Sequence, residues 1–400
     1  MNAGRSPIAE RLGLRTASLP LTLYVHMPWC VRKCPYCDFN SHQLKSAAPS
    51  GDYIDALIRD FEAELADIGG RPIEAIFFGG GTPSLFAPDA FARLLQAFAS
   101  RSRIVGDAEV TLEANPGTIE RGRFAGYRAA GINRVSLGAQ TFAPHALARL
   151  GRIHSPEDTY RAVDELRAAG LDNFNLDLMY ALPEQTLDEA LEDVRRACAL
   201  LPAHISHYQL TLEPGTVFHN RPPPLPDEDV AFRMQTECEG LLAQNGFAQY
   251  EVSAYARDGA RCRHNLNYWR FGDYVGIGAG AHGKITASLP HGVHRTEKAR
   301  QPRAYLEQLG AGAPGTGRSG ERKAVAAGDL PFEFVLNALR LNEGFALADF
   351  ESRTGLDASA VEPGLHSALA RGLVEFAEPR WRASGLGRRF LNDLQAGFLP

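Results

Sequence analysis

No stretch of this 400-residue chain approaches the roughly 20 apolar residues that a membrane-spanning helix needs. The first twenty residues also lack the apolar core of a secretory signal, so a cytoplasmic protein is expected. Neither sign of charge dominates. The net charge is −5 and the pI is near 6.2, which gives the whole chain no electrostatic reason to bind nucleic acid or an acidic membrane surface. Hydrophobic residues at 44% and charged residues at 22% sit near the globular average, which argues against a fibrous repeat and against a disordered tail. The six cysteines are a poor disulfide framework: Cys198, Cys238 and Cys262 are widely scattered, while the other three fall within eight residues. A reducing compartment and a metal site fit that pattern better. A chain of this length can bury one large core and one or two smaller ones.

What is present is a rhythm. After a polar leader (1–19), Thr22–Met27 reads as a short buried strand, and a cysteine-bearing loop with prolines begins three residues later. Helical stretches are expected over 53–68 and 89–100, and apolar strands over 75–78, 109–112, 135–138, 173–179 and 204–210. Strands and helices alternate six times over the core, 20–245. That alternation predicts an α/β fold whose parallel sheet has right-handed crossovers and whose polar loops sit at the carboxyl ends of the strands. Beyond Pro222-Pro223-Pro224 the rhythm changes: Phe232–Gly246 reads as one helix, and a polar, aromatic-rich region follows. This region, 246–320, carries His264-Asn265-Leu266-Asn267-Tyr268-Trp269 and runs into a Gly-, Ala- and Ser-rich linker, Gly310–Ala327. The remainder, 321–400, reads as a small helical or winged-helix-like domain with a hairpin around Leu373–Phe376 and Trp381–Ala383. It has no basic face, so nucleic-acid binding is not expected.

Cys30, Cys34 and Cys37 have the spacing C-x3-C-x2-C. Three thiolates so placed can hold three irons of a cubane 4Fe–4S cluster and leave the fourth without a protein ligand. That vacant iron can be chelated by the amino and carboxylate groups of S-adenosylmethionine (SAM), whose sulfonium then accepts an electron and splits a carbon–sulfur bond. A structural zinc site is the alternative, with His26, His42 or Asp38 as fourth ligand. Against zinc, the cluster is single rather than paired, and it follows the first strand of a repeating α/β unit.

In this context the chain resembles the radical SAM superfamily. Tyr24-Val25-His26-Met27-Pro28-Trp29-Cys30, Cys34-Pro35-Tyr36-Cys37-Asp38-Phe39, Gly79–Ser84 and Asn175–Met179 are similar to the oxygen-independent coproporphyrinogen oxidase family and its relatives, over residues 20–390. The resemblance implies a partial (β/α)6 barrel, the cluster and SAM. It also implies that Tyr24 and Tyr36 lie against cluster and adenosine, and Gly80, Gly81 and Thr82 against the methionyl group. Glu113, Gln140, Arg152 and Asp177 match positions that contact ribose and carboxylate. From the residues alone, a glycine-rich loop lets backbone approach a ligand closely, but it can equally be a tight turn. The four polar side chains at strand ends could equally be helix caps or surface ion pairs.

Two branches of that family differ here. The oxidase branch has a further cysteine two residues after the cluster and a long N-terminal extension, whereas this chain has Phe39 there and 23 residues before Tyr24. The H-N-x-x-Y-W motif is characteristic of the haem-chaperone branch. That likeness implies haem as a ligand, haem-accepting apoproteins and an electron donor as partners, and it is compatible with a homodimer. A histidine imidazole is a good axial haem ligand, so His264 is the candidate, with Tyr268 and Trp269 covering the macrocycle. The alternative for His264 is a hydrogen-bonded scaffold residue. Cys262 and His282 are weaker ligand candidates.

Overall fold

A computed structural model describes residues 19–44, 50–117, 122–287, 292–310 and 319–400. The leader up to residue 18 and residues 311–318 of the expected linker lie outside these. Six strands form the expected parallel core: β1 (Leu21–Met27), β2 (Ile73–Gly80), β3 (Ile104–Ala114), β4 (Arg134–Gln140), β5 (Phe174–Tyr180) and β6 (His204–Gln209). They read as near-continuous apolar runs because helices cover the sheet, so alternate residues find no water-facing side. In β4 every residue is buried. The crossovers carry α1 (Ser50–Ile68), α2 (Pro88–Arg101), α3 (Phe124–Ala130), α4 (Pro156–Ala168) and α5 (Leu187–Ala199). Reciprocal capping boxes start two of them, Ser155 with Asp158 on α4 and Thr186 with Glu189 on α5. Strand β3 begins five residues before the expected 109: its entry has half-buried Ile104 and Val105, but exposed Gly106 and Asp107 interrupt the apolar run between them and the buried stretch.

The chain after the core returns to the same sheet at both edges. Following α6 (Glu228–Gln244), β7 (Ala248–Glu251) and β8 (Ala254–Ala256) form a hairpin that pairs antiparallel with β6. Next, α7 (Arg263–Trp269) crosses over β2 and β1, and β9 (Asp273–Ile277) pairs parallel with the free edge of β1. Three antiparallel strands follow, β10 (His282–Thr286), β11 (Val293–Glu297) and β12 (Glu321–Ala324). Among the described residues the sheet therefore has twelve strands, in the order β12-β11-β10-β9-β1-β2-β3-β4-β5-β6-β8-β7. The expected linker is corrected at 321–324. Those residues form β12 because backbone groups at an open sheet edge pair regardless of side chain, and all four side chains are exposed.

Two buried ion clusters hold the added strands to the core. Asp273 accepts from Arg71 Nη1 at 2.7 Å and Lys284 Nζ at 2.9 Å. Asp60 on α1 accepts from Lys298 Nζ at 2.6 Å, Tyr305 Oη at 2.8 Å and the Gly278 N–H at 3.1 Å. Because each charge is buried, losing one partner would leave the others uncompensated, so the clusters fix which strand sits where. The C-terminal region has its own core, with Phe334, Phe345, Phe350, Leu365 and Trp381, which Phe271 and Val293 from the sheet region join. Val374–Ala377 and Arg380–Ala383 form the expected hairpin, extended by Phe345–Ala346 into a three-stranded sheet.

Candidate cluster and ligand site

The cysteine loop leaves β1 and is closed by a short parallel pairing of Trp29–Cys30 with His42–Gln43. Within it the Cys37 N–H donates to the Cys34 carbonyl at 3.2 Å. The three thiols are free and half-buried, and each meets a different polar group. Thr82 Oγ1 donates to Cys30 Sγ at 3.5 Å, Arg152 Nη1 to Cys34 Sγ at 3.8 Å, and Ser41 Oγ lies 3.8 Å from Cys37 Sγ. Burial pushes the Cys30 and Cys37 thiols up, opposed by the contacts from Thr82 and Ser41. Thiolates here want a cation, and donors around them tune a bound metal group. Among the described residues no three or more His, Cys, Asp or Glu side chains close around a single ion. His26, open as a zinc ligand from sequence, has both nitrogens engaged: Nε2 donates to the Asn40 carbonyl and Nδ1 accepts from Tyr24 Oη, each at 2.9 Å. The donor set fits a three-thiolate cluster.

The thiols open into a cavity of about 330 Å³ lined by Cys30, Cys34, Tyr36, Cys37, Gly80, Gly81, Thr82, Glu113, Gln140, Arg152 and Asp177. Gly80 has φ +112°, and a Cβ there would fall 2.3 Å from the His26 ring; at Gly81 it would fall 2.5 Å from the Trp29 carbonyl oxygen. Glycine is required at both positions for backbone to line this wall. The Gly80 N–H donates to Glu113 Oε2 at 3.0 Å. Asn115 Nδ2 donates to Thr82 Oγ1 at 2.9 Å, while Arg152 Nη2 donates to Asn115 Oδ1 and, at 2.8 Å, to the Gly138 carbonyl. Gln140 has φ +67°, a strained conformation for a side-chain-bearing residue, and its Oε1 accepts from Tyr208 Oη at 2.9 Å. Asp177 accepts from Asn175 at 2.7 Å and from Ser136 at 3.2 Å. Burial, with the Asp177 charge nearby, pushes Glu113 up to about 7, and burial raises Asp177 too. The cavity thus offers carboxylates, a guanidinium and amides around a close-approach backbone.

Tyr24 and His264 lie in a neighbouring cavity of about 610 Å³, which shares Asp38, Phe39, Gly80 and Glu113 with the first. Glu109 accepts from the Arg263 N–H at 2.9 Å and holds the start of α7, which sets His264 in place. The imidazole stacks on Phe77, with ring centroids 5.0 Å apart, and Tyr24 lies 6.2 Å away. It is 8% exposed, and Nδ1 is buried with no hydrogen-bond partner among the described residues. Burial, then the Arg134 charge, lower it to about 4, so the ring is neutral near pH 7. Tyr268, Tyr274, His282 and Arg300 complete the cavity. Trp269, one helical step from Tyr268, points elsewhere, and Arg340 lies 4.3 Å from its ring. Cys262 is also away from the cavity: it is fully buried, its Sγ donates to Glu109 at 3.5 Å, and burial pushes the thiol up to about 12. Tyr208 and Asn115 were not singled out from sequence, although each follows or ends a strand, a position that could have marked them. Arg300 carried no signal at all.

Two family models match the chain: the radical SAM superfamily over residues 24–197 and the HemN C-terminal domain over 325–390. Among curated relatives, the protein named Heme chaperone HemW from Escherichia coli (strain K12) is 48% identical over 95% of this chain and 98% of its own length. The protein of the same name from Haemophilus influenzae is 47% identical over 95% of this chain and 98% of its own. Among solved structures, coproporphyrinogen III oxidase (HemN) from Escherichia coli superposes with a TM-score of 0.79 at 23% identity, covering 99% of this chain and 93% of that one. That last likeness carries the fold alone. A radical SAM barrel implies a 4Fe–4S cluster and SAM, and on near-full-length identity to its curated members the chain belongs to the heme chaperone HemW family of the radical SAM superfamily.

Proposed function

We propose that this chain is a cytoplasmic haem chaperone. In this reading it binds haem, a 4Fe–4S cluster and SAM, takes electrons from a separate donor, and delivers haem to apoproteins. Cys30, Cys34 and Cys37 hold the cluster. Gly80, Gly81 and Thr82 meet the methionyl group of SAM, while Tyr36, Glu113, Gln140, Arg152 and Asp177 surround its remainder. A bound cluster supplies a low-potential electron to the sulfonium of SAM. The residues of the chain do the positioning: Thr82 and Arg152 reach both the thiols and the SAM cavity, and the Gly80 wall separates that cavity from its neighbour. Consistent with the compartment, no described helix is long and apolar enough to cross a membrane.

One observation carries the haem assignment. A second, larger cavity adjoins the thiol cavity and contains a histidine that is neutral near pH 7 and whose Nδ1 has no hydrogen-bond partner among the described residues. A neutral imidazole is the form that ligates haem iron, and Tyr24, Tyr268 and Tyr274 supply aromatic surface for the macrocycle. Haem titration of anaerobically reconstituted protein, with a coproporphyrinogen III oxidation assay on the same sample, tests the reading. Stoichiometric haem binding without conversion is expected. Catalytic conversion without haem binding would return the chain to the oxidase branch.

A further inference from the structure

The second cavity has one chemical asymmetry that the haem reading, on which this inference rests, does not use. Its lining residues include two carboxylates, Asp38 and Glu113, three histidines and several aromatic rings, but among those described only one permanent cation, Arg300. Arg300 is exposed and makes no ion pair among the described residues, whereas His282 on the same rim lies 3.9 Å from Glu297. In contrast to exposed Arg300, the imidazole of His264 is buried beside Phe77.

The backbone that presents Arg300 is held on both sides. Asn40 Nδ2 donates to the Arg300 carbonyl and to the Ala279 carbonyl, each at 2.9 Å, and the Asn40 carbonyl accepts from His26. Gly280, at φ +80°, makes room for this staple, because a Cβ there would lie 2.1 Å from Asn40 Nδ2. The guanidinium therefore has no ion-pair partner among the described residues and lies on the exposed side of an aromatic cavity, on a fixed stretch of chain. A planar fork of N–H donors matches a carboxylate through two parallel hydrogen bonds.

We propose that Arg300 binds the carboxylate edge of the tetrapyrrole, so that haem enters with its propionates at the mouth and its iron toward His264. The reverse orientation would drive two carboxylates into the buried, aromatic-lined interior beside His264 and leave Arg300 without a partner among the described residues. Arg300 acts here as a specificity-determining residue, separating dicarboxylate porphyrins from their neutral esters.

The test compares haem with haem dimethyl ester, titrated into the reconstituted full-length protein and into Arg300→Gln and Arg300→Lys. The wild type should favour haem by about tenfold, the size of a partly solvated charge-assisted pair. Arg300→Gln should bring the two affinities within about twofold with the iron-ligand spectrum unchanged, and Arg300→Lys should restore part of the preference as a point charge. Undiminished preference in Arg300→Gln, or no preference in the wild type, overturns the clamp while leaving the haem reading intact. Failure of the wild type to bind either molecule overturns both.

Discussion

The thiol cavity takes its wall from the carboxyl ends of β1 to β6 in turn and from the loops that follow them, the cysteine loop after β1 contributing most. The second cavity takes Tyr24 from β1, but its far side comes from residues 264–300, which reach β1 through a strand added at the sheet edge. The first is polar and rich in carboxylate and amide; the second is larger and lined by tyrosine and histidine rings. They meet at Gly80 and Glu113. One fold thus builds two chemically different sites against a common wall, one by repeating a strand-and-loop unit and the other by closing a sheet edge.

The sharpest way to separate them is to remove a thiol. Cys30→Ala, Cys34→Ala or Cys37→Ala should abolish the cluster, read as iron and sulfide content, because three thiolates are its minimum protein set. Haem affinity of the second cavity should stay within about threefold, since the candidate ligand His264 packs on Phe77 and Tyr24 rather than on a thiol. Full iron and sulfide in any such variant would refute the ligand assignment.

The second cavity should break by another route. Asp273→Asn leaves Arg71 and Lys284 buried against a neutral partner, and about 3–5 kcal/mol of stability should be lost in chemical denaturation. The same argument fixes the acid limb. Burial would raise the Asp273 carboxyl, but Lys284 and Arg71 together hold it down to about 2, so its contribution is present above the ordinary 3.8 and is lost as pH falls through 2. A loss under about 1 kcal/mol would mean that this cluster does not secure β9.

His264→Ala should weaken haem binding by about tenfold or more and change the absorption spectrum, as expected when an axial ligand goes, while cluster content is retained. An unchanged spectrum and affinity would make His264 a scaffold residue of α7. The smallest effect concerns the shared wall. Glu113 sits at about 7 in the fold against an ordinary 4.5, so its neutral form is favoured. The stability that follows is fully present below pH 4.5 and lost as pH rises through 7. Relative to Glu113→Gln, the cofactor-free wild type should lose on the order of 1–3 kcal/mol across that window. A flat difference between the two proteins would place Glu113 in water.

Much of the first cavity was legible because its residues lie next to the strands that carry them. Cys30 is three residues past β1, Gly80 ends β2, Gln140 ends β4, and a parallel sheet brings such ends together whatever the loops do. Asn115 and Tyr208 hold the same kind of position, yet nothing in their residue type separates a cavity side chain from a scaffold one. The second cavity was legible at His264 and Tyr268 through a motif, at His282 as a weaker ligand candidate, and at Tyr24 through the family likeness, which implied the cluster and adenosine instead. Trp269 shows where a motif fails: neighbouring residues on a helix differ by about 100°, so two adjacent aromatics cannot share one face. Glu321–Ala324 fails for another reason, since an edge strand of exposed polar side chains has no hydrophobic period to read.

By itself the sequence determined the alternating α/β core, the three-thiolate spacing and the glycine loop, because buried parallel strands, cluster geometry and close backbone approach each demand particular residue types at short range. Only the tertiary structure decided that β9 lies beside β1, that His264 faces Tyr24 across more than two hundred residues, and that Arg300 stands at the mouth of their cavity. Those placements depend on buried ion pairs, Arg71 with Asp273 and Lys298 with Asp60, whose members lie far apart in the chain, and pairing across such distances leaves no periodic trace in the sequence.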